Sequence, residues 1–202
     1  MKRFFSCFIL IAFISLAGFT NKRHDEVVNY YGIPESLTFG KLTYTLSWSS
    51  HPTDVYYKHE YIPKGNSVER YKDMVMIDFT ITDLSVQQAV ATQIAIINER
   101  KTTDILCNYA AWRNNENPDD QILDFTMSEN MGTSTMLNVV EWDAYHYKVY
   151  TDKAGHRGIL LFGISHRAYF DEAHDFLRSL HKYRDKNIKL LTEYVVPEIQ
   201  LK

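Results

Sequence analysis

From residue 105 to 169 the chain reads as strand after strand, each bounded by a short polar turn, and that pattern leaves few architectures open. Residues 105–113, 121–128, 136–151 and 156–169 are rich in aromatic and β-branched side chains. Between them lie Asn114-Asn115-Glu116-Asn117-Pro118-Asp119-Asp120, Gly132-Thr133-Ser134 and Asp152-Lys153-Ala154-Gly155. Turns this short join antiparallel neighbours, because a parallel pair needs a long crossover. The expected unit is an antiparallel meander. Its last strand is apolar at every position of Ile159-Leu160-Leu161-Phe162-Gly163-Ile164. A sheet wet on one side would alternate there, so both faces are expected to be covered.

The preceding part of the chain supplies the rest. Leu42, Tyr44, Leu46 and Trp48 alternate with Thr43, Thr45 and Ser47, as a strand with one buried face does. The turn residues 49–54 lead to a second strand over 55–62, which stops at Pro63-Lys64-Gly65-Asn66. Residues 73–82 are apolar on both faces. Asp83 or Ser85 then caps a helix running to about Lys101, with Val86, Val90, Ile94 and Ile97 as its buried stripe. A final helix starts near Asp171, carries Ala173, Phe176, Leu177, Leu180 and Tyr183 inward, and continues more weakly to Tyr194. Residues 18–37 read as a loosely ordered entry segment with Gly32 and Pro34. The expectation is one α+β domain over 38–202, an antiparallel sheet of about six to seven strands flanked by helices.

This order of hairpin, strand, helix, meander and helix, over roughly residues 38–183, resembles the Mog1/PsbP-like (DcrB-like) sandwich, a fold found in small exported bacterial proteins. The resemblance implies an accessory or binding protein without catalysis.

The start of the chain reads as an address. Lys2 and Arg3 precede an apolar run over 4–17, then Gly18 and the charged stretch 22–26. A basic start, a short apolar middle and small residues at Ser15 and Ala17 make a signal peptide, residues 1–17, cleaved after Ala17. The run falls short of the ~20 residues that cross a bilayer. Leu16-Ala17-Gly18 is followed by Phe19, not by the cysteine a lipoprotein would acylate. The expected product is exported, periplasmic or extracellular, with no lipid tail and no stable membrane anchor. No Asn-x-Ser/Thr sequon occurs, which favours a bacterial source.

Charge and cysteine usage narrow the function. With 22 basic against 25 acidic side chains and no long run of either sign, nothing favours nucleic acid or an anionic membrane. Of two cysteines, Cys7 lies in the leader, so Cys107 is left alone and is expected to be buried in a strand. No Cys/His spacing marks a metal, and no P-loop, GxGxxG or GxSxG motif occurs, so no cofactor or metal is expected.

Three groups of residues remain as candidates. Glu141, Asp143 and Tyr145 share one face of a strand, with Trp142, Ala144 and His146 on the other. Two carboxylates so spaced lie ~7 Å apart. That suits acid–base work, or ion pairing with basic groups on the facing strand near Arg157 and His156. His166, with Asp171, His174 and Asp175 nearby, raises a metal reading, but His174 and Asp175 lie opposite the buried stripe of their helix. Ser165 and His166, being adjacent on a strand, point to opposite faces and cannot act as nucleophile and base. Tyr57, His59 and Tyr61 share a strand face which Tyr30, Tyr31 and Trp48 would extend into a binding surface. The alternative for these tyrosines is a half-buried strand with its hydroxyls in water. The reading that follows is an exported non-catalytic binding or accessory protein for an unknown small molecule or protein. Its alternatives are a small periplasmic hydrolase or metal-dependent enzyme using Glu141, Asp143 and His166, and an envelope-complex module docking through the tyrosine-rich strand.

Overall fold

A computed structural model describes residues 27–113, 117–130 and 136–202. The leader, its cleavage point, Cys7 and the Gly132-Thr133-Ser134 turn lie outside the described residues. The elements are β1 (Ser36–Phe39), β2 (Leu42–Thr53), β3 (Tyr56–Pro63), β4 (Asp73–Ile81), α1 (Val86–Arg100), β5 (Asn108–Arg113), β6 (Asp120–Asn130), β7 (Leu137–Thr151), β8 (Arg157–Tyr169) and α2 (Asp171–Glu193). All strands join one antiparallel sheet of eight, in the order β1-β2-β3-β4-β8-β7-β6-β5. Two four-stranded meanders, each followed by a helix, therefore meet along β4 and β8.

The two-faced apolar strands sit where they must, at the centre. On one face Val75, Ile77 and Phe79 of β4 join Leu160, Phe162 and Ile164 of β8 beneath Ala173, Phe176 and Leu191 of α2. On the other face Met74 and Met76 join Ile159 and Leu161, with Val86, Val90 and Ile97 of α1. Each strand thus feeds alternate side chains to two cores, and each core takes one helix. Gly163 marks where the layers are tightest, since a Cβ there would lie 2.6 Å from Met76 Cγ. Of the two possible caps of α1, Ser85 holds the position. Its hydroxyl accepts the Gln88 amide and its own amide donates to Gln88 Oε1.

The strand count exceeds the expected six to seven because β1 comes from the segment read as loose. Four residues are too few to display alternation, yet Leu37 and Phe39 are buried while Ser36 and Thr38 are exposed. Gly40, at φ +59°, provides the tight turn into β2. Upstream, Tyr31 is fully buried and its hydroxyl donates to the Tyr57 carbonyl at 2.6 Å. The C-terminal residues lock the same region. The Gln200 amide donates to the Tyr31 carbonyl at 2.9 Å, and Ile199 is fully buried. α2 runs unbroken to Glu193 because Leu191 reaches the core. Cys107 is buried, but it precedes β5, which starts at Asn108 because Asp104 turns the chain by accepting the Leu106 amide.

Candidate functional site

The hairpin register of β7 and β8 sets Glu141 opposite Arg167, Trp142 opposite His166 and Asp143 opposite Ser165. Glu141, Asp143, Ser165 and Arg167 thereby share the α1 face, and Tyr71, from the β3–β4 connection, folds over them. Glu141 Oε1 accepts hydrogen bonds from Tyr71 at 2.8 Å and from Ser165 at 2.7 Å. Its Oε2 lies 3.0 Å from Arg167 Nη2, and the guanidinium stacks 4.2 Å from the centre of the Tyr71 ring. The ion-pair partner is Arg167, not Arg157. The turn places Arg157 opposite Thr151, at the far end of the hairpin.

Asp143 is different. It is buried, and its Oδ2 has no hydrogen-bond partner among the described residues. Burial, and after it the negative charge of Glu141, push its carboxyl well above the usual carboxylate range. The structure thus brings Glu141 and Asp143 together, as their spacing implied, but inside the sandwich instead of at an exposed strand end. His166 is not part of this group. It occupies the α2 face, with Nδ1 2.8 Å from Asp73 Oδ1 and its ring against Phe176 and Tyr183. Tyr183 donates to the same Asp73 oxygen at 3.1 Å. His174 and Asp175 are exposed on α2.

Tyr57, His59 and Tyr61 do share one face, but it is the core face under α2, at 9%, 0% and 0% exposure. Among the described residues these three side chains form no exposed surface, because Tyr30 and Tyr31 fold over β3. The Tyr31 ring sits 4.1 Å from His59, and the Tyr30 amide donates to His59 Nε2 at 3.1 Å. An amide can only donate, so Nε2 is the acceptor and Nδ1 carries the proton toward the Tyr61 oxygen, 3.1 Å away. Burial holds His59 down to about 4, and the ring is neutral at physiological pH. Trp48 does not join this group. A bulge between Leu46 and Trp48 shifts the register, so Leu46 pairs with Tyr61 while Trp48 pairs with Glu60 on the opposite face.

Several polar residues of the interior carry no local sequence signal. Lys58 and Glu60 pair at 2.9 Å on the α1 face, where Tyr56 donates to Asp78 at 3.0 Å. Burial raises Asp78 to about 6, although Lys58 opposes the shift. Tyr71, Ser165 and Arg167 belong to the Glu141 cluster. Tyr71 lies in a connection far away in the chain, where no local pattern points to it. Ser165 and Arg167 were reachable from strand register.

A cavity of about 620 Å³ opens between the β3–β4 connection and the β8–α2 junction. Tyr71 forms its inner wall and turns its hydroxyl away toward Glu141. On its rim the Arg70 guanidinium stacks 5.1 Å from the Tyr169 ring, and Lys72 pairs with Glu172 at 2.8 Å. Phe170 also lines it, in a left-handed conformation at φ +48° that a non-glycine residue rarely adopts.

No curated protein and no solved structure matches this chain. A protein-family model matches residues 31–196, a span that runs from the buried Tyr31 past the end of α2 and includes Tyr57, His59, Tyr61, Glu141, Asp143 and His166. The chain belongs to that family.

Proposed function

We propose that this protein is an exported, non-catalytic binding or accessory protein of the Mog1/PsbP-like sandwich type, and that its ligand occupies the cavity beside Tyr71. The observation that carries the reading is how the chemically able side chains are occupied. Glu141 is engaged by Tyr71, Ser165 and Arg167, and His166 by Asp73, both in half-buried positions. The open cavity instead offers an aromatic wall of Tyr169 and Phe170 with Arg70 as the polar contact, a lining suited to holding a molecule. The basic start and apolar run of residues 1–17 support export, and no helix among the described residues is long and apolar enough to cross a membrane.

The test is a thermal-shift screen of the purified protein against small carboxylates, sugars and short peptides, with Arg70→Ala as the comparison. A ligand that raises the melting temperature of the wild type and leaves Arg70→Ala unmoved supports the reading. Equal shifts in both proteins, or none with any class, count against it.

A second reading, a small hydrolase, draws on one observation. Among the described residues one Asp143 oxygen beside Glu141 has no hydrogen-bond partner, and burial raises the carboxyl well above the usual range. Turnover of an ester or glycoside substrate that Asp143→Asn abolishes would favour it over the binding reading.

A further inference from the structure

β5 is an edge strand. It pairs with β6 on one side, and among the described residues no strand or backbone group pairs with its other side. Sheet proteins blunt such edges with proline, lysine, bulges or very short strands. The opposite edge follows that rule, since β1 is only four residues long. β5 does not: its six residues, Asn108-Tyr109-Ala110-Ala111-Trp112-Arg113, hold no proline or lysine, and the ladder to β6 has no register shift. The centre is two alanines, which leave the backbone open to approach. Trp112 is 48% exposed, and Ile105, just ahead of the strand, is 96% exposed. Trp112 is held upright by its own contacts. Its indole N–H donates to Asp124 Oδ1 at 3.0 Å, and the Arg184 guanidinium stacks 5.1 Å from the ring.

We infer that β5 is a self-association edge, pairing antiparallel with β5 of a second copy about a two-fold axis at Ala110. The geometry selects both the occupant and the register. A two-fold axis perpendicular to the sheet keeps each face on its own side, so each residue must meet one from the same face. The axis therefore passes through a residue position, not between two. Tyr109 lies on the α1 face, because it pairs with Phe125, and Trp112 on the α2 face, because it pairs with Ile122. Centred on Ala110, the pairing sets Tyr109 beside the partner's Ala111 on one face. On the other it sets Trp112 beside the partner's Asn108. On each face a large ring meets a smaller residue, and every pair from 108 to 112 lies within the strand. Centring on Ala111 would instead bring Arg113 onto the partner's Tyr109, where the Lys101 ammonium already sits 5.1 Å from the ring. The like charges disfavour that register.

A single added strand buries less than the ~1,600 Å² of a standard interface, so the association is concentration-dependent. Sedimentation velocity on the purified protein reads it directly, and the expected result is a monomer–dimer equilibrium over the micromolar range. Ala110→Lys, which places two like charges on the axis, is expected to weaken dimerisation at least tenfold with an unchanged circular dichroism spectrum. Under mild oxidation Ala110→Cys is expected to crosslink across the axis and Ala111→Cys is not. A monomer at every concentration, a dimer indifferent to Ala110→Lys, or crosslinking at Ala111 in place of Ala110 would overturn the inference.

Discussion

Acidification tests the packing of residues 27–33 over β3 through one side chain, His59. The folded protein holds this ring at about 4, against 6.5 for a free imidazole, because the ring is fully buried. The sign follows from which state binds the proton. Between pH 6.5 and 4 the unfolded chain is protonated at this position and the folded one is not. His59 therefore contributes stability that is complete above about pH 6.5 and is lost as the pH falls toward 4. At 1.36 kcal/mol per pH unit, the loss between about pH 7 and 4.5 comes to about 2.5 kcal/mol. Asp78 works in the opposite direction. Its carboxyl is raised to about 6, so the folded state takes up that proton first and gains stability as the pH falls through 6 toward 3.8. The two effects are of similar size, and the wild-type profile alone would hide both. The informative quantity is the stability gap between wild type and His59→Gln, a side chain that keeps an acceptor for the Tyr30 amide and does not titrate. Urea unfolding of both proteins across this pH range should show the gap shifting by about 2.5 kcal/mol against the wild type on acidification. Parallel profiles would mean instead that His59 is hydrated or charged in the folded state.

Two further outcomes follow from the packing. Asp124 accepts the indole N–H groups of Trp112 and Trp142, at 3.0 and 3.2 Å, and pairs with Arg184. Asp124→Ala should cost about 3–5 kcal/mol in denaturant unfolding, because it strands a guanidinium and a buried N–H together, whereas a loss below about 1 kcal/mol would show the cluster to be solvated. Phe170→Gly should raise stability by about 1 kcal/mol, since the left-handed backbone then carries no side chain, and a thermal melt that falls would show that the ring's contacts outweigh the strain.

Much of the sheet could be read from local pattern, and the failures have physical causes. β4 and β8 announced themselves by being apolar on both faces, which is the condition of a strand between two helices. The facing of Glu141 and Asp143, and the separation of Ser165 from His166, came directly from the two-residue period. That same period misplaced Trp48, because a bulge in β2 breaks it there. Tyr57, His59 and Tyr61 were correctly aligned on one face, but which face was decided by Tyr30 and Tyr31 folding back over β3, a contact between segments that no window of sequence contains. The half-buried setting of Glu141 has the same origin. Tyr71 reaches it from 70 residues away, and only the folded chain shows that the carboxylate is partly covered.

The function proposed above is that of an exported protein that binds rather than transforms, with the cavity beside Tyr71 as its binding site. Native mass spectrometry with metal analysis, on protein recovered from the envelope fraction of its own host, separates that proposal from its rivals. The predicted result is a chain beginning at Gly18 that carries a metal-free organic ligand or a protein partner. A chain that retains residues 1–17, or one that carries a stoichiometric metal, would contradict it.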